Sequence, residues 1–115
     1  MAKPGAWVEV TGGDGGALQR FYTEAFGWRI DADNSMSYGM VEAEEGGIGG
    51  GVASGPDGSA QVTFYVSVPD LQAALDKVGQ LGGKTLDPPM EVPDGPTIAY
   101  FSDPAGNRVG LMKAT

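Results

Sequence analysis

The sequence predicts an α+β domain made of two tandem β-α-β-β-β modules that pack into one sheet-lined body with the helices outside. Three observations lead to this fold class. A β-rich run ending in aspartate occurs twice, each run is followed by an amphipathic helical pattern ending at glycine, and each helix is followed by three short strand-like segments. A unit this short cannot bury its own sheet face, so the two copies are expected to share a core.

The opening strands come from two runs that align without a gap, WVEVTGGD at residues 7–14 and TFYVSVPD at residues 63–70. Side chains two positions apart share one face of a strand. One set of faces is aliphatic: Val8, Val10, Val62, Phe64, Val66 and Val68. The opposite faces are mixed: Trp7, Glu9, Thr11, Thr63, Tyr65 and Ser67. We expect the aliphatic faces to pack on the helices and the mixed faces to line a concave surface suited to a small molecule.

The two helices follow Asp14 and Asp70, which we interpret as N-caps, since a carboxylate there accepts N–H groups of the first turn. Gly27 and the pair Gly82–Gly83 suit the left-handed position after a helix. The apolar helical positions are Ala17, Leu18, Phe21, Tyr22 and Ala25, then Leu71, Ala74, Leu75 and Val78. Phe21, Phe26 and Trp28 are expected to belong to the core.

Further strands are predicted at residues 28–30, 36–41, 48–53, 85–86, 97–102 and 108–112. Matching residues 44–47 with 103–106 sets Gly51 opposite Gly110. The turn-rich segment Gly55–Ser59 is the best linker candidate. We therefore predict a single domain over residues 1–115, with module one at about 6–54 and module two at about 60–113.

Composition narrows the functional classes. The chain has no cysteine and no histidine, which removes disulfides, thiolate nucleophiles and the commonest metal ligand and general base. The formal net charge of −8 disfavours a nucleic-acid partner and gives a faint preference for cationic or neutral ligands. No long apolar run and no signal-peptide pattern are present, so a membrane association is not expected and a cytoplasmic location is.

Three motifs together resemble the vicinal-oxygen-chelate superfamily of glyoxalases, extradiol dioxygenases and bleomycin-resistance proteins. They are the helix end Phe21-Tyr22 to Phe26-Gly27-Trp28, the helix entry Val68-Pro69-Asp70, and the turn YFSDPAGN at residues 100–107. The resemblance covers nearly the whole chain. It implies the glyoxalase/bleomycin-resistance fold, a curved, half-barrel-like mixed sheet with helices outside, and a homodimer.

The resemblance also implies where a metal would be held, at one place on the first strand and one on the last strand of each module. Those places are Trp7, Gly51, Thr63 and Gly110, and none offers a carboxylate or an imidazole. We therefore expect no metal and no other cofactor. The glycines are expected to leave room where ligating side chains would stand.

Three functions remain open, and the sequence leaves undecided whether the protein is an enzyme. The first is a metal-independent binding protein holding an aromatic or cationic small molecule in the concave sheet, with Trp7, Glu9, Thr63, Tyr65 and Tyr100 as ligand contacts. The alternative is a metal-independent lyase or isomerase with Glu9 as general base. A non-catalytic assembly domain is third. Phe101 competes with Tyr100 for the inward position on its strand.

Overall fold

The computed structural model describes residues 5–55, 57–93 and 95–114. Its contacts divide the chain into two compact units. One comprises Trp7–Thr63, and the other runs from Phe64 onward and includes Gly5 and Ala6. The boundary between the units, at residues 63–64, lies inside the strand predicted to open the second module.

Module one contains five elements in the predicted order. They are β1 (Gly5–Gly12), α1 (Gly15–Phe26), β2 (Ile30–Asp31), β3 (Gly39–Val41) and β4 (Gly50–Ser54). Its strands lie in the order β2-β3-β4-β1, where β1 and β4 are parallel and the other pairs are antiparallel.

Module two repeats this arrangement. Its elements are β5 (Gln61–Val68), α2 (Leu71–Gln80), β6 (Lys84–Glu91), β7 (Thr97–Ser102) and β8 (Arg108–Lys113). The strand order is β6-β7-β8-β5, again with one parallel pair, β5 with β8. The prediction of two β-α-β-β-β modules is confirmed.

The strand registers show that the two modules correspond residue by residue at this position. Glu9 pairs with Gly51 in module one, and Tyr65 pairs with Gly110 in module two. These are the equivalent positions of the two sequence repeats, so the predicted correspondence of Gly51 with Gly110 is confirmed.

The predicted helix ends are also confirmed. One carboxylate oxygen of Asp14 accepts from the Ala17 N–H, and one of Asp70 accepts from the Ala73 N–H, each at 3.0 Å. Gly27 follows α1 with a φ of 71°, the left-handed conformation that ends the helix without a Cβ penalty. The longest helix among the described residues is α1, and none has the length and apolar character needed to cross a bilayer.

The core of module two lies between α2 and one face of its sheet. It consists of Val68, Leu71, Leu75, Ala99 and Leu111, with Val66, Ala74 and Phe101 packed against it. In module one the helix meets the sheet through polar and small groups. The Gln19 side chain donates to the Val52 carbonyl at 2.8 Å, and the Gly15 N–H donates to the Ser54 hydroxyl at 2.8 Å.

The assignment of Phe21 and Phe26 to the core was wrong, since these side chains are 59% and 66% exposed. Phe21 lies on a different face of α1 from the sheet contacts of Gly15 and Gln19, and Phe26 lies at the C-terminal end of the helix, beyond those contacts. There Phe21, Tyr22, Phe26 and Trp28 form a cluster, with the Tyr22 and Trp28 rings stacked at 4.9 Å between centroids.

The packing of β5 on its helix is only partly as predicted. Val66 and Val68 contact the core cluster, but Val62 and Phe64 on the same face are exposed. A ten-residue helix spans about 15 Å, whereas an eight-residue strand spans about 26 Å, so α2 reaches only the end of β5 next to it.

The prediction of strands at residues 28–30 and 85–86 needs correction. Strand β2 begins at Ile30, and β6 extends over eight residues through Pro88 and Pro89. The register of β6 against β7 shifts around these prolines. Proline has no N–H to donate to a neighbouring strand. It is tolerated here because β6 is the edge strand of its module and has no strand of that module on its outer side.

Candidate functional site

In each module one sheet face packs on the helix, and we call the opposite face the open face. In module one it carries Trp7, Glu9, Tyr38, Met40 and Gly51. In module two it carries Tyr65, Asp87, Tyr100, Arg108 and Gly110. The strand registers, together with the hydrogen bonds of Tyr38 to Trp7 and Glu9, place these residues side by side within each module. Trp7 and Glu9 of β1 therefore lie on the open face of module one, and Tyr65 of β5 lies on that of module two. Thr63 is also on β5, but its contacts assign it to the unit Trp7–Thr63.

A hydrogen-bonded row occupies the open face of module one. The Trp7 indole Nε1–H donates to the Tyr38 hydroxyl oxygen at 3.1 Å, and that hydroxyl donates to Oε2 of Glu9 at 2.8 Å. Trp7 and Glu9 thus lie on one strand face, as predicted. The Glu9 carboxylate is an acceptor in this row.

Tyr38 is the residue of this open face that sequence reasoning missed. It directly precedes β3, and the side chain of Asn34 holds its backbone at both ends. The Asn34 amide donates to the Tyr38 carbonyl at 2.8 Å, and its oxygen accepts from the Tyr38 N–H at 2.9 Å. The available signal was its alternation with Met40 in the predicted strand 36–41, which puts both on one face.

Tyrosine rings cover Gly51 and Gly110, the two glycines predicted to stand where the superfamily resemblance would place metal ligands. A Cβ on Gly51 would collide with the Tyr38 ring, and one on Gly110 would collide with the Tyr65 ring. The expectation that these glycines leave open room was therefore wrong. Their small size admits a tyrosine from a neighbouring strand or loop of the same module.

A second polar row crosses the open face of module two. The Tyr65 and Tyr100 hydroxyls are hydrogen-bonded, and their rings meet edge to face at 5.5 Å. The Arg108 guanidinium lies 3.7 Å from the centre of the Tyr100 ring and 3.3 Å from a carboxylate oxygen of Asp87. One residue from each of the four strands takes part.

The structure also decides the parity of β7. Phe101 packs against the helix-side core, and Tyr100 lies on the open face with Tyr65. Tyr100 is thus the inward residue of the predicted pair. Thr63 and Tyr65 are buried. Only 4% of Tyr65 is exposed, because its ring packs against Gly110 and Tyr100.

Trp7 lines an open groove in module one with a volume of about 460 Å³. Its apolar lining comes from Trp7, Ile30, Met40, Val41 and Ala43, together with Gly49. Arg29, Asp31 and Glu42 supply the charges. Arg29 and Glu42 are 3.9 Å apart and largely exposed, so their ion pair contributes little to stability. The groove therefore combines an aromatic wall with two carboxylates and one guanidinium, a net charge of one negative unit.

The residues present do not fit the metal that the superfamily resemblance implies. Gly51 and Gly110 offer no donor, and the adjacent volume is filled by Tyr38 and Tyr65. Glu9 is the carboxylate on β1, and it is hydrogen-bonded to Tyr38. Within the described part of the chain, no three carboxylate, imidazole or thiol side chains converge as a metal site requires.

Known proteins share both sequence and fold with this chain. The family model for a glyoxalase-like domain matches residues 7–112. The provisionally named glyoxylase CFP32 of Mycobacterium tuberculosis is 31% identical over 94% of this chain, which spans only 44% of that relative's length.

Two solved structures show the same fold at low sequence identity. A hypothetical protein of Bacillus halodurans superposes with a TM-score of 0.73 at 10% identity, covering 100% of this chain and 96% of that one. Methylmalonyl-CoA epimerase of Mycobacterium tuberculosis gives 0.70 at 12% identity, with 96% and 87% covered. The predicted glyoxalase/bleomycin-resistance fold class is thus confirmed, and the chain belongs to the glyoxalase-like domain family.

Proposed function

We propose that the chain is a metal-independent small-molecule-binding protein that holds its ligand on the open sheet face. The observation that carries this proposal is the same in both modules: a tyrosine ring occupies the volume beside the glycine where the superfamily resemblance would place a metal ligand. The Trp7 groove supports it, since an apolar cavity with few polar groups is the usual form of a small-molecule site.

The ligand that suits this groove is a planar aromatic molecule, with a positive charge favoured. A tryptophan face attracts cations through its ring quadrupole. Asp31 and Glu42 line the same groove against the single positive charge of Arg29, and the chain as a whole is acidic. Glu9 and Thr63 are proposed as further ligand contacts in the unit of the groove. Tyr65 and Tyr100 are proposed as contacts on the open face of module two, where Tyr65 is reached only if its buried ring moves.

The test compares N-methylquinolinium, a planar cation, with neutral quinoline in titrations followed by calorimetry. We expect the cation to bind more tightly. Replacing Trp7 by alanine should weaken its binding by roughly 1 to 3 kcal/mol, as loss of an aromatic anchor does. Met36→Ala is the matched control, because Met36 is exposed and does not line the groove. Equal binding to the Trp7→Ala protein would show that the groove is not the site.

Metal independence is tested separately, by elemental analysis of protein purified without an affinity tag. We expect no stoichiometric transition metal, and no change in the unfolding temperature when chelator is added. About one tightly held metal ion per chain would contradict the proposal and the placement of the four ligand positions.

A metal-independent lyase or isomerase is the second candidate, and Glu9 is the observation that favours it. Its carboxylate lies on the open face beside the hydroxyl of Tyr38, so an acceptor and a proton donor stand together. The fold likeness to an epimerase is compatible with this reading. A ligand screen by native mass spectrometry, followed by product analysis for each hit, distinguishes the two. Turnover that Glu9→Gln abolishes while ligand binding persists would favour the enzyme.

A further inference from the structure

The Trp7 indole is held by a chain of contacts that starts outside the sheet. Asn34 binds the backbone N–H and C=O of Tyr38, and the Tyr38 ring lies over Gly51. The Tyr38 hydroxyl then meets both Trp7 and Glu9. Backbone, ring and hydroxyl of Tyr38 are thus each fixed by a different partner.

This arrangement gives the hydroxyl a defined direction. Because the hydroxyl has one proton and donates it to the acceptor-only carboxylate of Glu9, its oxygen lone pairs are available to the Trp7 N–H. A phenylalanine at position 38 would fill the same volume over Gly51 but would break both hydrogen bonds. One oxygen atom thus accepts the indole hydrogen bond and donates to Glu9.

We propose that Tyr38 is the positioning residue of the Trp7 groove: its hydroxyl fixes the indole plane that a ligand stacks on, and Asn34 fixes Tyr38. The groove wall is thereby pre-organised before binding, which lowers the ordering cost that a mobile tryptophan would add. The ligand part of this inference rests on the proposed function. The orientation of Trp7 does not depend on it.

The experiment reads the Trp7 side chain directly through its indole N–H resonance in heteronuclear NMR. The chain has two tryptophans, so Trp28→Phe assigns the pair. In Tyr38→Phe we expect the Trp7 N–H signal to shift and its exchange with solvent to rise roughly five- to tenfold, the effect of losing one hydrogen bond. The Trp28 signal should stay in place.

Three further variants separate positioning from general loosening. Glu9→Gln keeps an acceptor oxygen for Tyr38 and should leave Trp7 near wild type. Asn34→Ala touches neither Trp7 nor Glu9 in the hydrogen bonds described, yet should raise Trp7 exchange through Tyr38. Tyr22→Phe, in the ring stacked on Trp28, should move only the Trp28 signal.

Unchanged Trp7 exchange in Tyr38→Phe would overturn the proposal, and so would equal changes in both indole signals. N-methylquinolinium then gives the functional arm. Weaker binding to Tyr38→Phe, with the unfolding temperature within two or so degrees of wild type, is expected. If the wild-type protein binds no N-methylquinolinium, the proposed ligand class fails, while the NMR result still decides whether Tyr38 positions Trp7.

Discussion

Single residues decide what chemistry the open faces offer. Gly51 and Gly110 stand at equivalent positions of the two modules, and each accommodates a tyrosine ring that a side chain would displace. Interiors are close-packed, so such a glycine is fixed by its neighbour's shape and does not provide flexibility. Each of these glycines and the tyrosine ring beside it therefore depend on each other for space.

Replacing Gly110 by alanine should destabilise the protein by about 1 to 3 kcal/mol, because the new methyl group overlaps the buried Tyr65 ring. Gly79→Ala is the control. A Cβ at that position meets no atom, and alanine in a helix should stabilise by roughly 0.5 to 1 kcal/mol. Urea unfolding measures both, and the same sign for the two variants would contradict the packing described.

At the scale of elements, the length difference between helices and strands sets where the core is. Helix α2 covers the end of β5 that carries Val66 and Val68, and its own Leu71 and Leu75 are inserted against β7 and β8. Residues just beyond the helix are outside this core. The apolar alternation of β5 also includes Val62 and Phe64, which lie beyond the reach of α2 and are exposed.

Leu75→Ala should cost about 2 to 5 kcal/mol, since the side chain is 3% exposed and leaves a cavity in the core cluster. Leu81 directly follows α2 and is 70% exposed, so Leu81→Ala should change stability by less than about 0.5 kcal/mol. Thermal and urea unfolding of the two variants test the assignment, which equal losses would contradict.

The turn between β7 and β8 gives a pH-dependent prediction. The Asn107 side chain, its backbone N–H and that of Ala105 donate to Asp103, and these hydrogen bonds hold the pKa of Asp103 below its ordinary value of 3.8. A lowered folded-state pKa stabilises the protein above the ordinary pKa, and this contribution is lost as the pH falls through the folded-state value.

Asp103→Asn should therefore be less stable than wild type near neutral pH, and the difference should shrink below about pH 3.8. Asn107→Ala removes the largest cause of the shift and should reproduce part of the effect. Unfolding followed across this pH range is the measurement. A difference that stays constant with pH would show that the turn acts through geometry alone.

Across the whole molecule, several large apolar side chains are exposed among the described residues. Phe21 and Phe26 are more than half exposed and lie in one aromatic cluster, a type of surface that often marks an interface. We therefore propose that this cluster is the interface of the predicted symmetric homodimer.

Sedimentation at micromolar concentration should give the mass of two chains. Replacing Phe21 and Phe26 together by serine should shift it toward one chain if the aromatic cluster forms the interface. Met36→Ser, a similarly exposed apolar residue outside the cluster, should leave the mass unchanged. A wild-type mass of one chain would contradict the dimer. A dimer that survives the double replacement would place the interface elsewhere, as at the exposed strands.

The sequence by itself determined the duplication, the helix caps and the correspondence of Gly51 with Gly110 as equivalent positions of the two modules. These follow from patterns with a fixed local period, and from turn and cap residues whose chemistry acts within a few positions. Through the superfamily resemblance it also predicted that the four places where a metal would be held offer no strong donor.

Only the tertiary structure decided how those places are filled and which apolar residues are buried. Tyr38 covers a glycine thirteen residues away in sequence, and Phe21 is exposed although its spacing suits a buried helix face. The inward position of Tyr100 over Phe101 likewise depended on which face of β7 meets α2. Local periodicity assigns a side chain to a face, but the atoms that occupy the space beyond that face come from distant segments, and their packing is set by shape in three dimensions.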